Sequence, residues 1–336
     1  MSVFTDGAPG ELPPPAALSS VVTAHYASRC LHVLATAGVA DHIGETPRPV
    51  AEIANAASVN ADALNRMLRL LATHGLFELT ATGWRHTPAS SLLRSDHPHS
   101  MRAFAAMIGD PTNWDSLAAL SHSLTTGRVA AETVFPDGVW AYYAQNPNLG
   151  RQFDAAMTAK SHGDIPLLLA ALDLTGVATI ADIGGGRGHF LRAILDAHPA
   201  LNGVLFDMPA VVANAPDHAR VTKVGGDFFK DDMPKADLYL MTHIIHDWAD
   251  AELIAILSNL RRAAPKGARL ILYELLLPTG PEPHPAKTLD IVMMTVVGGR
   301  ERTAQEFDAL FTASGWTSAG VVPTQGLMAL NVARAT

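Results

Sequence analysis

The sequence predicts an α/β protein: a doubly wound parallel sheet in its second half, preceded by an all-helical and winged-helix domain. Three observations carry that expectation. The segment ATIADIGGGRGHFLRAIL, from Ala178, joins an apolar run to a helical pattern through Gly184, Gly185, Gly186 and Gly188. Four more apolar runs follow, and the residues of chemical interest stand at their C-terminal ends. Residues 16–105 read instead as helices and one small hairpin. Apolar runs separated by helical stretches indicate parallel strands with crossover helices.

In chain order, residues 1–15 (MSVFTDGAPGELPPP) look like a disordered lead-in, with no basic or apolar segment of a signal peptide. Val21 to Ala37 is helical and apolar on most faces, so it is buried or packs on another subunit. VAEIANAASV gives a short helix and turn. NADALNRMLRLLATHGLF gives a longer amphipathic one, with Leu64, Met67, Leu68 and Leu71 on one face and Gly75 as its C-cap. FELTATGWRHTPAS completes a winged helix with a hairpin turning at Thr82-Gly83. This shape often reads DNA, but the would-be recognition helix offers only Arg66 and Arg69 against Asp62. A structural and dimerising module, covering 16–105, is the better reading. Residues 106–149 form a helical bridge, and the catalytic domain runs over 150–336.

The glycine segment is the most telling. A dinucleotide fingerprint needs G-x-G-x-x-G, and His189 stands where its last glycine belongs. The spacing is acid-x-G-x-G-x-G, with Asp182 ahead of Gly184 and Gly186. That is the first motif of enzymes using S-adenosylmethionine (SAM), whose amino-acid end carries an ammonium that an acid beside the turn suits. LNGVLFDMP ends in Asp207, 25 residues beyond Asp182, close to where an acid holds ribose hydroxyls. RVTKVGGDFF ends in Asp227 and Phe228, an acid for the adenine amine and a ring for its face. ADLYLMTHIIHDW and ARLILYELLLP supply the fourth and fifth strands.

HIIHDWADAE places His246 at the ligand-binding rim, whereas His243 reads as a packing residue. A hydroxyl acceptor of SAM has to lose its proton, and an imidazole taking it as the new bond forms gives about 10²–10⁴ in rate. A carboxylate on the other ring nitrogen fixes the tautomer and stabilises the imidazolium. Glu274 and Glu301 are the candidates. The HxxHD spacing suggests no metal, because nothing nearby in sequence supplies a clear third ligand.

DIGGGRG, FDMP, GGDFF, HDW, LYELLLP and GGRERTAQEF occur in this order. Together they resemble the caffeic-acid/hydroxyindole type of SAM-dependent O-methyltransferases, shared by plant phenolic and bacterial natural-product enzymes. The resemblance covers nearly the whole chain and implies an N-terminal dimerisation domain. It implies His246 as general base flanked by Glu274 and Glu301, with SAM contacts at Gly184, Asp207, Asp227 and Phe228. FDAAMTAKS resembles the family segment that lines the acceptor pocket through Phe153 and Met157 and touches SAM through Ser161. A further pocket segment falls on Asp290 to Met293. Thr242 departs from the family, where many members have a lysine near the adenine. The TVVGG region is more apolar than in plant relatives, which leaves the acceptor open among aromatic and polyketide-like hydroxyl compounds.

Composition narrows the alternatives. The 336 residues are 48% hydrophobic and carry a net charge of −8, with no basic footprint for nucleic acid. The one cysteine, Cys30, is compatible with a reducing cytoplasm, and no uncharged run is long enough for a membrane helix. The expectation is a cytoplasmic homodimer acting on a small aromatic acceptor. Its rivals are a SAM-binding hydroxylase or N-methyltransferase on the same scaffold, and a SAM-responsive winged-helix DNA-binding regulator.

Overall fold

The computed structural model describes residues 13–336. The expected lead-in thus lies, up to residue 12, outside the described residues. The chain divides into two compact units. One takes in residues up to Asp110 together with Asn146–Ala159; the other takes in Pro111–Gln145 and Lys160–Thr336.

The first unit opens with α1 (Pro14–Thr36), followed by α2 (Val50–Ala56), α3 (Ala61–Ala72), the hairpin β1 (Glu78–Thr80) and β2 (Gly83–Arg85), α4 (Pro88–Ser91) and α5 (Arg102–Ile108). Asn60 caps α3 by accepting from Ala63 N at 2.9 Å. Leu64, Leu68 and Leu71, the expected stripe of α3, are buried with Ile53, Phe77 and Trp84, and Met67 packs at the margin. Thr80 pairs with Gly83, so the turn is Ala81-Thr82, one residue earlier than the sequence suggests. A Cβ on Gly83 would collide with the Arg48 carbonyl, which explains the glycine there. On α1, Leu34 and Ala35 are buried, but Leu18, Val21, Val22 and Tyr26 are 60% exposed or more.

The second unit begins with α6 (Pro111–Ala118), α7 (Leu120–Thr126) and α8 (Val139–Gln145). The boundary between units then falls inside α9 (Pro147–Ala171), after Ala159. The alternating part follows: β3 (Thr179–Ile183), α10 (His189–Ala197), β4 (Asn202–Asp207), α11 (Pro209–Ala213), β5 (Val221–Gly225), β6 (Leu238–Thr242), α12 (Asp250–Ala263), β7 (Arg269–Leu275), α13 (Pro285–Val296), α14 (Ala304–Ala313), β8 (Thr317–Pro323) and β9 (Met328–Arg334). The seven-stranded sheet has the order β5-β4-β3-β6-β7-β9-β8. All five sequence-predicted strands, β3 to β7, pair in parallel. The sequence reading stops there; β9 and β8 add an antiparallel edge.

Every residue of β6 and β7 is buried, as expected of parallel strands covered on both faces. The period-two alternation divides them between layers. Tyr239 and Met241 join one core with Leu253 and Leu257 of α12, while Leu238 and Leu240 join the other with Leu191 and Leu195 of α10. Strand order reverses at β3, which lies between β4 and β6. The crevice at the carboxyl ends of such strands is where open α/β sheets take ligands. Among the described residues no helix is long and apolar enough to cross a membrane.

Candidate active site

The turn after β3 is held from both sides. Gly184 has φ +69°, and a Cβ there would meet Ile244 Cδ1, just beyond β6. A Cβ on Gly185 would collide with Asp182 Oδ2, so the acid lies directly beneath the turn. Gly186 N donates to Asp207 Oδ2 at 2.8 Å, and Met208 N donates to Oδ1 at 2.7 Å. The two predicted acids therefore differ. Asp207 holds the turn and is half-buried, with lone pairs to spare for hydroxyl donors. Asp182 is fully buried, and neither of its oxygens has a partner of good hydrogen-bond geometry, the Leu191 backbone N–H near it lowering its pKa only as the least of three influences. Burial, reinforced by the Asp207 charge, pushes its carboxyl up to about 7. An orphaned acid under a bare backbone turn fits a ligand that brings a cationic amino group, and SAM has one.

Asp227 lies two residues beyond β5. Its Oδ1 accepts from Phe229 N at 2.9 Å and its Oδ2 pairs with Lys230 at 3.0 Å, contacts that hold its pKa down. It is a turn residue as well as a candidate cofactor contact. Phe228 packs edge-on against Trp248, centroids 5.6 Å apart. Thr242, where a lysine was noted as missing, is buried.

His246 sits in a 3-10 turn, Ile245–Asp247, after β6. Glu301 Oε1 is 2.9 Å from His246 Nδ1, and both groups are buried. Glu274, on β7, does something different. Its Oε1 accepts from Ile244 N at 2.9 Å and from Ile245 N at 2.8 Å, which fastens the backbone carrying the histidine. Its Oε2 has no hydrogen-bond partner and lies 3.6 Å from His246 Nδ1. So Glu301 fixes the ring and Glu274 fixes the turn while adding charge. Asp247 Oδ1 is 3.7 Å from Nε2, too far for a hydrogen bond. Burial pulls the His246 pKa down, but the charge of Glu274, the Glu301 hydrogen bond and the Asp247 charge outweigh it and push it up to about 9. Glu274 is itself pushed up to about 7, by burial first.

His243 has the opposite surroundings. Its Nε2 is 3.2 Å from Asp164 Oδ2 and its Nδ1 is 3.4 Å from Lys160 Nζ. Burial and the lysine charge push it down to about 3, a neutral imidazole at any ordinary pH. Its φ of +55° is unusual for a residue with a side chain. His243, His246 and Glu274 bring ring nitrogens and a carboxylate oxygen within 4.8 Å of one another, a grouping not visible from their spacing along the chain. Lys160 at the His243 ring opposes a cation there.

The remaining predicted residues are spread along two helices. Asp290 Oδ1 accepts from Glu301 N at 2.9 Å, so this expected acceptor contact also anchors the residue that orients His246. Met293 is buried on the same helix, α13. Phe153 and Met157 are half-buried on the stretch of α9 grouped with the first unit, and Ser161 lies on the stretch grouped with the second. Sequence reasoning missed Arg302, which is 1% exposed and bonds to the turn around His246. Its signal was faint: a second basic residue beside Glu301, directly before the Thr303 cap of α14.

Residues 114–317 match the O-methyltransferase domain family, and residues 19–96 match the O-methyltransferase dimerisation domain. A phenazine O-methyltransferase of Lysobacter antibioticus is 36% identical over 333 residues, 97% of each chain. An 8-amino-8-demethylriboflavin N,N-dimethyltransferase of Streptomyces davaonensis is 32% identical over 320 residues, 91% of each. Among solved structures, a methyltransferase of calicheamicin biosynthesis in its SAH-bound form superposes with a TM-score of 0.89 at 33% identity, covering 97% of this chain and 100% of that one. The glycine turn, the paired acids, the buried His246 centre and these matches lead to one conclusion: the chain belongs to the SAM-dependent O-methyltransferases.

Proposed function

We propose that the enzyme methylates a hydroxyl group on a small aromatic acceptor, with His246 as the general base. The observation that carries this reading is the 2.9 Å contact between His246 Nδ1 and Glu301 in a buried setting. It commits Nδ1 and leaves Nε2 to accept a proton. SAM supplies a methyl group activated by its sulfonium. Gly184, Gly186, Asp207 and Ser161 would hold that cofactor, with Asp227 and Phe228 at the adenine end and the Asp182 charge beneath its ammonium.

The raised pKa has a chemical consequence. An ordinary imidazole near 6.5 facing a phenol near 10 makes full proton transfer uphill by roughly 5 kcal/mol. With His246 pushed up to about 9 the gap narrows to roughly 1–2 kcal/mol. The cost is availability: at neutral pH the raised pKa keeps most of the imidazole already protonated. The trade favours acceptors of high pKa, which need a strong base most. Met293 on α13 suits a soft, irregular aromatic ligand, and Asp290 on the same helix would supply a polar edge. The similarity to a phenazine O-methyltransferase supports an aromatic acceptor. The similarity to an N,N-dimethyltransferase supports a second reading, an aromatic amine as acceptor.

Incubation with SAM and a panel of phenols and aryl amines, with mass-spectrometric location of the new methyl, tests the two. O-methyl products lost in a folded His246→Gln protein bear out the first; N-methyl products alone overturn it. The exposed Leu18, Val21, Val22 and Tyr26 of α1, inside the dimerisation-domain match, support a homodimer in which a second copy covers them. Light scattering at micromolar concentration should give twice the chain mass of 35.6 kDa; a stable monomer refutes it.

A further inference from the structure

The Arg302 side chain lies in a site where it is 1% exposed. A buried guanidinium is tolerated only when its donors are satisfied, and here all five are. Nε donates to Asp250 Oδ1 at 3.0 Å, and Nη2 donates to the same oxygen at 2.6 Å. Nη1 donates to the carbonyls of Ile245 at 3.0 Å and Arg300 at 3.2 Å. Nη2 also donates to the carbonyl of Trp248 at 2.9 Å. Ile245 and Trp248 bracket His246 and Asp247, so the guanidinium closes the turn from beneath.

The backbone around it points the same way. Arg300 N donates to the His246 carbonyl at 2.9 Å. Gly299 packs so close to that carbonyl that a Cβ has no room. Leu277 N donates to the Arg302 carbonyl at 2.9 Å, tying the segment to the strand that carries Glu274. Residues 299–302 and 245–248 are thus zipped together, and the Arg302 guanidinium bonds to backbone carbonyls of both.

We propose that Arg302 is a positioning residue for His246: it locks the turn to the Glu301 segment and so sets the Nδ1–Glu301 hydrogen bond. Its service to catalysis rests on His246 being the base; the geometric effect does not. Lysine keeps the charge but offers three donors from one point, so it cannot span Asp250 and two carbonyls. Arg302→Lys therefore changes geometry at constant charge.

The test is NMR titration of the His246 ring in the full-length protein, its resonance identified by its absence in His246→Gln. Turnover, SAM affinity and thermal melting are measured alongside. Arg302→Lys should lower the His246 pKa by about one unit or more as the Glu301 bond loosens. Turnover at high pH should fall about tenfold or more, with SAM affinity within about twofold of wild type. A lower melting temperature with an unmoved His246 pKa overturns the proposal, whatever turnover does. A lowered pKa with unchanged turnover upholds the positioning and removes His246 as the base. If Arg302→Lys does not fold, Asp250→Asn replaces it, since Asp250 is 58% exposed in its side chain and its loss frees the same guanidinium. The same downward shift is expected there, smaller in size, and no shift overturns the proposal.

Discussion

The two halves of the sheet's carboxyl edge hold buried acids in opposite conditions. Beside β6 and β7, Glu301 and Glu274 surround an imidazole, and the cluster raises His246 to about 9. Beneath the β3 turn, Asp182 is equally buried and has no partner. One half sets its acids against a protein group: even Glu274 Oε2, without a hydrogen-bond partner, lies 3.6 Å from the His246 ring. The other carries an uncompensated acid that a cationic ligand would relieve. On the proposed reading, the difference teaches where each part of the reaction would draw its electrostatics: the base from protein charges already in place, the cofactor pocket from the cofactor's own ammonium.

Removing His246, the proposed base, tests the first half most severely. His246→Ala should lower turnover about 10²–10⁴-fold with little change in SAM affinity, and His246→Gln should be nearly as poor. Wild-type turnover should rise with pH through about 9, the pKa of His246, and that limb should vanish in either variant. Steady-state rates from pH 6 to 10 on one acceptor decide it, and near-wild-type turnover by a folded His246→Ala protein breaks the assignment.

Glu301→Gln should cost less, roughly 10–100-fold at high pH, from the loss of one charge-assisted hydrogen bond. The limb should move down toward 6.5, so the deficit shrinks as pH falls. The same shift acts on stability. A histidine raised when folded stabilises fully below its unfolded pKa near 6.5 and loses that contribution as pH rises through about 9. Thermal melts of wild type should therefore fall across that window more than those of Glu301→Gln.

In the other half, Asp207→Ala should weaken SAM binding about tenfold or more, for it removes both the proposed ribose acceptor and the anchor of Gly186. Calorimetry on the folded variant checks this, and unchanged affinity removes Asp207 from the cofactor site. The smallest and sharpest effect concerns Asp182. Its folded pKa of about 7, against an ordinary 3.8, means that the folded state binds this proton more tightly than the unfolded one. Its stabilising contribution is complete below about pH 4 and is lost as pH rises through about 7. Asp182→Asn should flatten that decline in thermal melts. A bound ammonium favours the ionised acid, so SAM binding near pH 6.5 should release up to about one proton, read as a buffer-dependent calorimetric enthalpy. No buffer dependence breaks the contrast between the halves.

Local patterns were sufficient for the elements. Apolar runs, the glycine turn and the α3 stripe each lie within a span where period and turn chemistry apply, and β3 to β7 follow from them. β8 and β9 were not read. Most of β8 is exposed, and an edge strand lacks the continuous apolar signal of a buried one. In the site, His246 and Glu274 were legible because each stands in a segment following or ending a predicted strand; Glu301, between α13 and α14, became legible through the resemblance of GGRERTAQEF to the family.

Their division of labour was not legible. Glu274 and Glu301 are 28 and 55 residues from His246, and only the pairing of β6 with β7, and of Leu277 with Arg302, brings them to one ring. Whether a carboxylate meets an imidazole nitrogen or a backbone N–H depends on ångström-scale register, which residue identity does not encode. Asp290 under Glu301, Asp182 beneath the turn rather than upon it, and Arg302 at the centre of the lock were decided in the same way. By itself the sequence determined the kinds of group at the rim and the strands that deliver them. Tertiary structure alone decided which groups touch and which stay buried without a partner, because contact and desolvation are properties of packed elements, not of spacing along the chain.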